Sequence, residues 1–130
     1  MALWPKLTDE QAAPAARAVF DDIRRTRGND YVNDIWRVLA NDPDLLARTW
    51  QLTRTTMAPG ALDGLTKELI YLAVSVTNNC SYCISTHTAA ARAKGLTDPQ
   101  YGEMLAVIAL ANQLNRLVNG TQVEVDERYR

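Results

Sequence analysis

The sequence predicts an all-α fold, a single-domain bundle of about six helices over residues 1–130, and three observations predict it. Helix start and stop signals recur along the whole chain. Apolar residues return at helical spacing within the segments those signals bound. No run of alternating β-branched residues between turn signals reads as a strand. With 130 residues and 47% apolar content the chain can bury one contiguous core, and it carries no internal repeat, low-complexity tract or linker.

Taken in order, "TDEQ" at 8–11 has capping-box spacing, with Thr8 as N-cap and Gln11 reaching back, and opens an Ala-rich amphipathic stretch that stops near Gly28. Asn33 and Asp34 start a short helix carrying Ile35, Trp36 and Leu39. Asp42 followed by Pro43 places an N-cap before a first-turn proline, and that helix runs to about Met57, where "PG" at 59–60 stops it. Asp63 opens a helix whose Leu65, Leu69, Leu72, Ala73 and Val76 share one side, and "TNN" at 77–79 interrupts it. The fifth helix runs from about Cys80 to Lys94, with Arg92 and Lys94 in its last turn and Gly95 as its stop. Thr97 or Asp98, with Pro99, starts a long sixth helix through Leu105, Ile108, Leu114 and Leu117 that ends at Asn119 and Gly120. The last ten residues, "TQVEVDERYR", read as a tail or an intersubunit segment.

Charge narrows the function. Fourteen basic and fifteen acidic residues nearly cancel, and no Lys/Arg cluster exceeds "RRTR" at 24–27, so no electrostatic footprint for nucleic acid is present. "MALWPKLTDE" lacks the charged start and apolar run of a signal peptide. The longest apolar stretches, around 69–76 and 104–111, are too short and too interrupted to cross a bilayer. The expectation is a soluble, cytoplasmic protein. In a reducing cytosol a close cysteine pair is more often catalytic or metal-binding than a structural staple.

Both cysteines and the only histidine lie in "NNCSYCISTH", residues 78–87. At 100° per residue, Cys80, Cys83 and His87 fall within roughly a 60° sector of one helix face. Cysteine α-carbons at i, i+3 are about 5 Å apart, within disulfide reach. With Asn79 as the cap, Cys80 occupies the first turn, where unpaired N–H groups and the positive dipole end favour a thiolate. His87, one turn beyond Cys83, is placed to accept its proton. A group that orients the imidazole completes the chemistry. Glu68 is the candidate, at the edge of the preceding helix's apolar stripe, where an antiparallel hairpin through "TNN" brings it alongside the Cys/His face.

Glu68, Cys80, Cys83 and His87 together spell Glu-x11-Cys-x2-Cys-x3-His. With its helical surround from about Asp42 to Asn119, the chain resembles the AhpD-like alkylhydroperoxidases of the carboxymuconolactone decarboxylase superfamily. The resemblance implies a peroxidatic thiol at Cys83 that becomes a sulfenic acid, and a resolving thiol at Cys80 that converts it to a disulfide. It further implies a proton relay through His87 and Glu68, and an external dithiol reductant of lipoyl type. A cofactor-free enzyme assembled as a trimer or hexamer, reducing a hydroperoxide substrate, is the expected whole. One position departs from the pattern: Tyr82 stands where some relatives carry histidine before the second Cys. The decarboxylase branch lacks the cysteine pair, so its presence argues against a decarboxylase role.

Other readings of the same residues stay open. Cys80, Cys83 and His87 are three zinc-type ligands, with Glu68 or water as a fourth, which would make a zinc-stabilised module or helical scaffold. A thiol–disulfide exchange protein that never meets peroxide needs only the cysteine pair. Trp36, Trp50 and Tyr71 read as core or interface residues, with the alternative that one of them lines a substrate pocket.

Overall fold

In this computed structural model, which describes residues 2–130, the chain folds into six α-helices and one short 3₁₀ turn, with no strand among the described residues. It divides into two compact units, Met1–Ala58 and Pro59–Arg130.

The first unit holds α1 (Pro14–Arg27), α2 (Asp34–Leu39) and α3 (Pro43–Met57). The predicted capping box forms: Thr8 N–H donates to Gln11 Oε1 at 3.0 Å and Gln11 N–H to Thr8 Oγ1 at 3.3 Å. It closes only a turn, however, and α1 starts six residues beyond Thr8. The reason is Pro14, whose ring disfavours helical geometry in the residue before it, and Ala13 accordingly sits at φ −60°, ψ 154°. Asp42 caps α3 as expected, its Oδ1 accepting the Leu45 N–H at 3.1 Å. Phe20, Ile23 and Leu46 are fully buried, and Trp36 meets Trp50 edge to face at 5.4 Å between ring centroids. Asp9 ties α1 to α2 by accepting from Arg24 at 2.8 and 3.0 Å and from Arg37 at 3.2 Å. The Arg24 hydrogen bonds hold its carboxyl below the usual carboxylate value despite the opposing effect of burial.

The second unit is built from α4 (Gly64–Thr77), α5 (Ser81–Ala93) and α6 (Asp98–Thr121), followed by the 3₁₀ turn Glu127–Tyr129. Helices α4 and α5 form an antiparallel hairpin, packed through Leu72, Ala91 and Leu96, with Leu65, Leu69, Tyr101 and Met104 around them. The turn between them is a Schellman motif. Asn79 takes the left-handed conformation (φ 58°), its N–H donates to the Val76 carbonyl at 3.3 Å, and the Cys80 N–H donates to the Ser75 carbonyl at 2.9 Å. The end of α5 repeats the device, with Gly95 at φ 98°, Gly95 N–H donating to Arg92 and Leu96 N–H to Ala91, both at 3.0 Å. Leu96 is thereby turned inward and buried.

Helix α6 starts at a full capping box, Thr97 with Gln100, and runs to Thr121, slightly past the expected stop at Asn119 and Gly120; left-handed Gln122 ends it instead. From residue 113 to the C-terminus every residue is exposed. No helix among the described residues is long and apolar enough to cross a membrane.

Leu72, fully buried at the centre of the hairpin, tests this core. Leu72→Ala is expected to lower stability by about 2–5 kcal/mol, the transfer cost of the lost side chain plus the cavity left behind. Urea unfolding followed by circular dichroism measures it, and a loss under about 1 kcal/mol would mean that Leu72 is not packed as described.

Candidate active site

The Schellman turn settles which residue caps α5. Asn79 is consumed in the left-handed position that closes α4, so it does not cap α5 as the sequence reading expected, and the cap passes to Cys80. The Cys83 N–H donates to Cys80 Sγ at 3.3 Å, the place a serine or aspartate oxygen takes in an ordinary N-cap. A sulfur in that position accepts a backbone N–H at the positive end of the helix, which favours negative charge on it. Cys80 and Cys83 are joined as a disulfide, with α-carbons 5.3 Å apart, close to the separation that i, i+3 spacing predicts.

His87 lies one turn beyond Cys83 on the same helix. Its Nδ1 is 2.6 Å from Glu68 Oε2. An ionised carboxylate only accepts, so Nδ1 carries the hydrogen and donates it, leaving Nε2 with its lone pair when the ring is neutral. Glu68 is brought there by the hairpin. It is 4% exposed, so it is not a solvated flank charge, and Leu72 one turn on is buried on the same side.

Glu68's second oxygen is also engaged. Lys94 Nζ donates to Oε1 at 3.0 Å. Burial by itself opposes ionisation of this carboxyl, but the hydrogen bonds from His87 and then Lys94 outweigh it, and Glu68 is held below its ordinary value. Tyr71 completes the surroundings of the imidazole, its ring stacked on that of His87 with centroids 3.6 Å apart and planes 20° from parallel.

The hairpin thus brings Glu68 to His87, and α5 by itself aligns Cys80, Cys83 and His87. Two neighbours were missed from sequence. Lys94 was read only as a last-turn cation, although it follows His87 by seven residues, two helical turns, and so shares its face. Tyr71 was grouped with Trp36 and Trp50, although it follows Glu68 by three and is carried to the same side of α4. Those two tryptophans do lie in the core of the first unit.

Chemically the arrangement offers a dithiol that closes and reopens within one helical turn, an imidazole with a fixed tautomer, and a buried carboxylate holding that tautomer. Glu68 is unavailable as a free metal ligand while both its oxygens are hydrogen-bonded.

Known proteins carry the same arrangement of helices. Residues 43–123 match the carboxymuconolactone decarboxylase family. A crystal structure of the alkylhydroperoxidase AhpD core from Rhodospirillum rubrum superposes with a TM-score of 0.96 at 57% identity, covering 99% of this chain and 97% of that one. The alkyl hydroperoxide reductase AhpD of Solibacter usitatus is 30% identical over 121 residues, 93% of this chain and 64% of the relative. An uncharacterised protein of the cox locus in Paracoccus denitrificans is 41% identical over 58 residues, 45% of this chain and 52% of the relative. The chain therefore spans only about half to two thirds of the length of these two relatives. The extent of the family match and the whole-chain likeness to the Rhodospirillum structure place this protein in the carboxymuconolactone decarboxylase family, as an AhpD-like member.

Proposed function

We propose that this protein is a thiol-dependent peroxidase that reduces alkyl hydroperoxides through Cys83, Cys80, His87 and Glu68. The observation that carries the reading is the pairing of a disulfide-competent Cys80/Cys83 turn with an imidazole whose Nδ1–H is committed to buried Glu68. In the reduced protein His87 Nε2 takes the Cys83 proton. The thiolate attacks the distal peroxide oxygen, the O–O bond breaks, Cys83 becomes a sulfenic acid, and the alkoxide takes a proton to leave as an alcohol. Cys80, its negative charge favoured by the helix N-terminus, attacks the Cys83 sulfur and expels hydroxide, which leaves as water. An external dithiol then reopens the disulfide by exchange and is itself oxidised to a disulfide. The sum is one hydroperoxide and one dithiol converted to an alcohol, water and a disulfide.

The two thiols are thus activated from different sources, Cys83 by the imidazole and Cys80 by backbone donors. A lipoyl-type dithiol suits the last step because closing its own ring drives the exchange forward. No organic cofactor or metal is needed. The cysteine pair also sets this chemistry apart from the decarboxylation in the family's name.

Assembly into a homo-oligomer, a trimer or hexamer, belongs to the same proposal. Ile70 and Val74 on α4 and Val107, Leu110, Leu114 and Leu117 on α6 are each 48–66% exposed, an apolar stripe that a second copy would cover. A soluble, cytoplasmic setting fits a thiol that must be returned to the reduced form in every cycle.

One equivalent of an organic hydroperoxide added to the reduced protein is expected to remove both alkylatable thiols and lower the intact mass by two hydrogens. Mass spectrometry after denaturing alkylation measures this. If both thiols stay alkylatable, peroxide is not the substrate, and exchange with a protein or small-molecule disulfide becomes the reading to assay.

A further inference from the structure

We propose that Lys94 is a positioning residue that sets the proton affinity of the Cys83–His87–Glu68 relay, an inference that rests on the relay reading above. Its backbone is the C-cap of α5, far along the helix from the cysteines, yet its ammonium returns to Glu68 Oε1 at 3.0 Å. The carboxylate is therefore gripped from both sides, with His87 on Oε2 and Lys94 on Oε1. Held this way it cannot rotate to offer Oε1 to the imidazole, and its charge is balanced by a cation other than the imidazolium.

The path of the lysine stem is itself built in. A Cβ placed on Gly64, one turn before Glu68, would lie 3.2 Å from Lys94 Cε and 3.4 Å from Cδ. The stem crosses α4 where that helix has no side chain. No positive φ requires glycine at this position, so close approach of the lysine is what the absent side chain permits.

Electrostatics gives the effect its sign. With Lys94 present, Glu68, Lys94 and a neutral His87 sum to zero charge. Without it the cluster carries one extra negative charge, and every proton leaving Cys83 or His87 leaves against that charge. The charged groups bonded to Glu68 are His87 of α5 and Lys94 at its C-cap, and Tyr71 of α4 stacks on the His87 ring. Arg92, also on α5, is paired instead with Asp98 at the start of α6.

The test uses the reduced full chain and iodoacetamide, an electrophile that reads the Cys83 thiolate whether or not peroxide is a substrate, with Cys80→Ala as the common background. Lys94→Met keeps the length of the stem and removes the charge. It is expected to move the midpoint of the alkylation–pH profile upward by about half a unit or more, roughly threefold slower alkylation well below the midpoint. Lys94→Arg should restore the original midpoint. A merely structural lysine would change thermal stability and leave the midpoint in place, so an unshifted midpoint in folded Lys94→Met overturns the proposal. Should Lys94→Met lose its helical signal, Gly64→Val decides instead, because it keeps the charge and displaces the stem: an upward shift supports the role and no shift overturns it. Should the midpoint move while peroxide leaves the thiols untouched in the wild type, the peroxidase reading fails and the positioning role stands.

Discussion

Cys83→Ser is expected to abolish hydroperoxide reduction, by at least about 10³-fold, while leaving the fold unchanged. A serine hydroxyl is not ionised by a neutral imidazole to any useful degree and does not form the sulfenic acid on which resolution depends. Cys80→Ser should behave differently. Its Cys83 still reacts, but no thiol lies within disulfide reach, so one equivalent of peroxide is consumed and the reaction stops with one added oxygen on Cys83. Peroxide consumption and intact mass without external thiol, which would itself reduce a sulfenic acid, separate the two variants, and turnover of Cys83→Ser is then assayed under excess dithiol. Sustained turnover in Cys83→Ser would remove the assignment of nucleophile. The reverse pattern, single turnover in Cys83→Ser and none in Cys80→Ser, would exchange the roles of the two thiols. That exchange has a physical rationale, since Cys80 Sγ is the sulfur that accepts a helix N–H.

Most of this site was legible because it is built on local geometry. Cys80, Cys83 and His87 share a face through helical spacing alone, and no tertiary information is needed to place them together. Glu68 required one more step, the assumption that "TNN" folds α4 back along α5. Composition supported that step, since asparagine is one of the few non-glycine residues that tolerates the left-handed position. What the same tripeptide did not reveal was which residue it would leave as the cap. One left-handed residue at 79 moved the start of α5 by a single position and turned Cys80 from a first-turn residue into the N-cap.

The misses share a cause. Lys94 and Tyr71 are ordinary residues in ordinary places until a particular hairpin register sets them against Glu68 and His87, and that register is fixed by packing at Leu72, Ala91 and Leu96 rather than by any motif. At the other end of the chain, the Thr8 capping box was read correctly as a cap and wrongly as the start of α1. Its local hydrogen bonds satisfy the same rule in one turn as in a long helix, and Pro14 decided the outcome.

The second large effect is expected at Glu68. Gln has the shape of Glu but one acceptor oxygen instead of two, and Glu68 faces two donors, His87 Nδ1 and Lys94 Nζ. If the amide oxygen turns to Lys94, the amide NH₂ meets Nδ1 and the imidazole must move its hydrogen to Nε2, which removes the lone pair that deprotonates Cys83. If the oxygen turns to His87, the NH₂ is pressed against the ammonium. The first arrangement is favoured, because a charged donor left without an acceptor costs more than a changed tautomer. Glu68→Gln should therefore slow Cys83 alkylation and peroxide reduction by about 10² or more near neutral pH, the usual scale for losing general-base help. It should also cost about 1–3 kcal/mol of stability, the worth of hydrogen bonds to a charged group, reduced by the 41% exposure of the Lys94 side chain. The pH dependence of that cost is fixed in sign. The folded carboxyl lies below its ordinary value of 4.5, so its contribution is complete above that pH and is lost as pH falls through the lower folded value. The stability gap between wild type and Glu68→Gln should be widest above about pH 5 and should shrink below about pH 4. Urea midpoints measured across that range, together with the alkylation profile, give two independent readings. A gap that stays constant into acid would mean that Glu68 is not ionised in the folded protein, and the relay would lose its anchor.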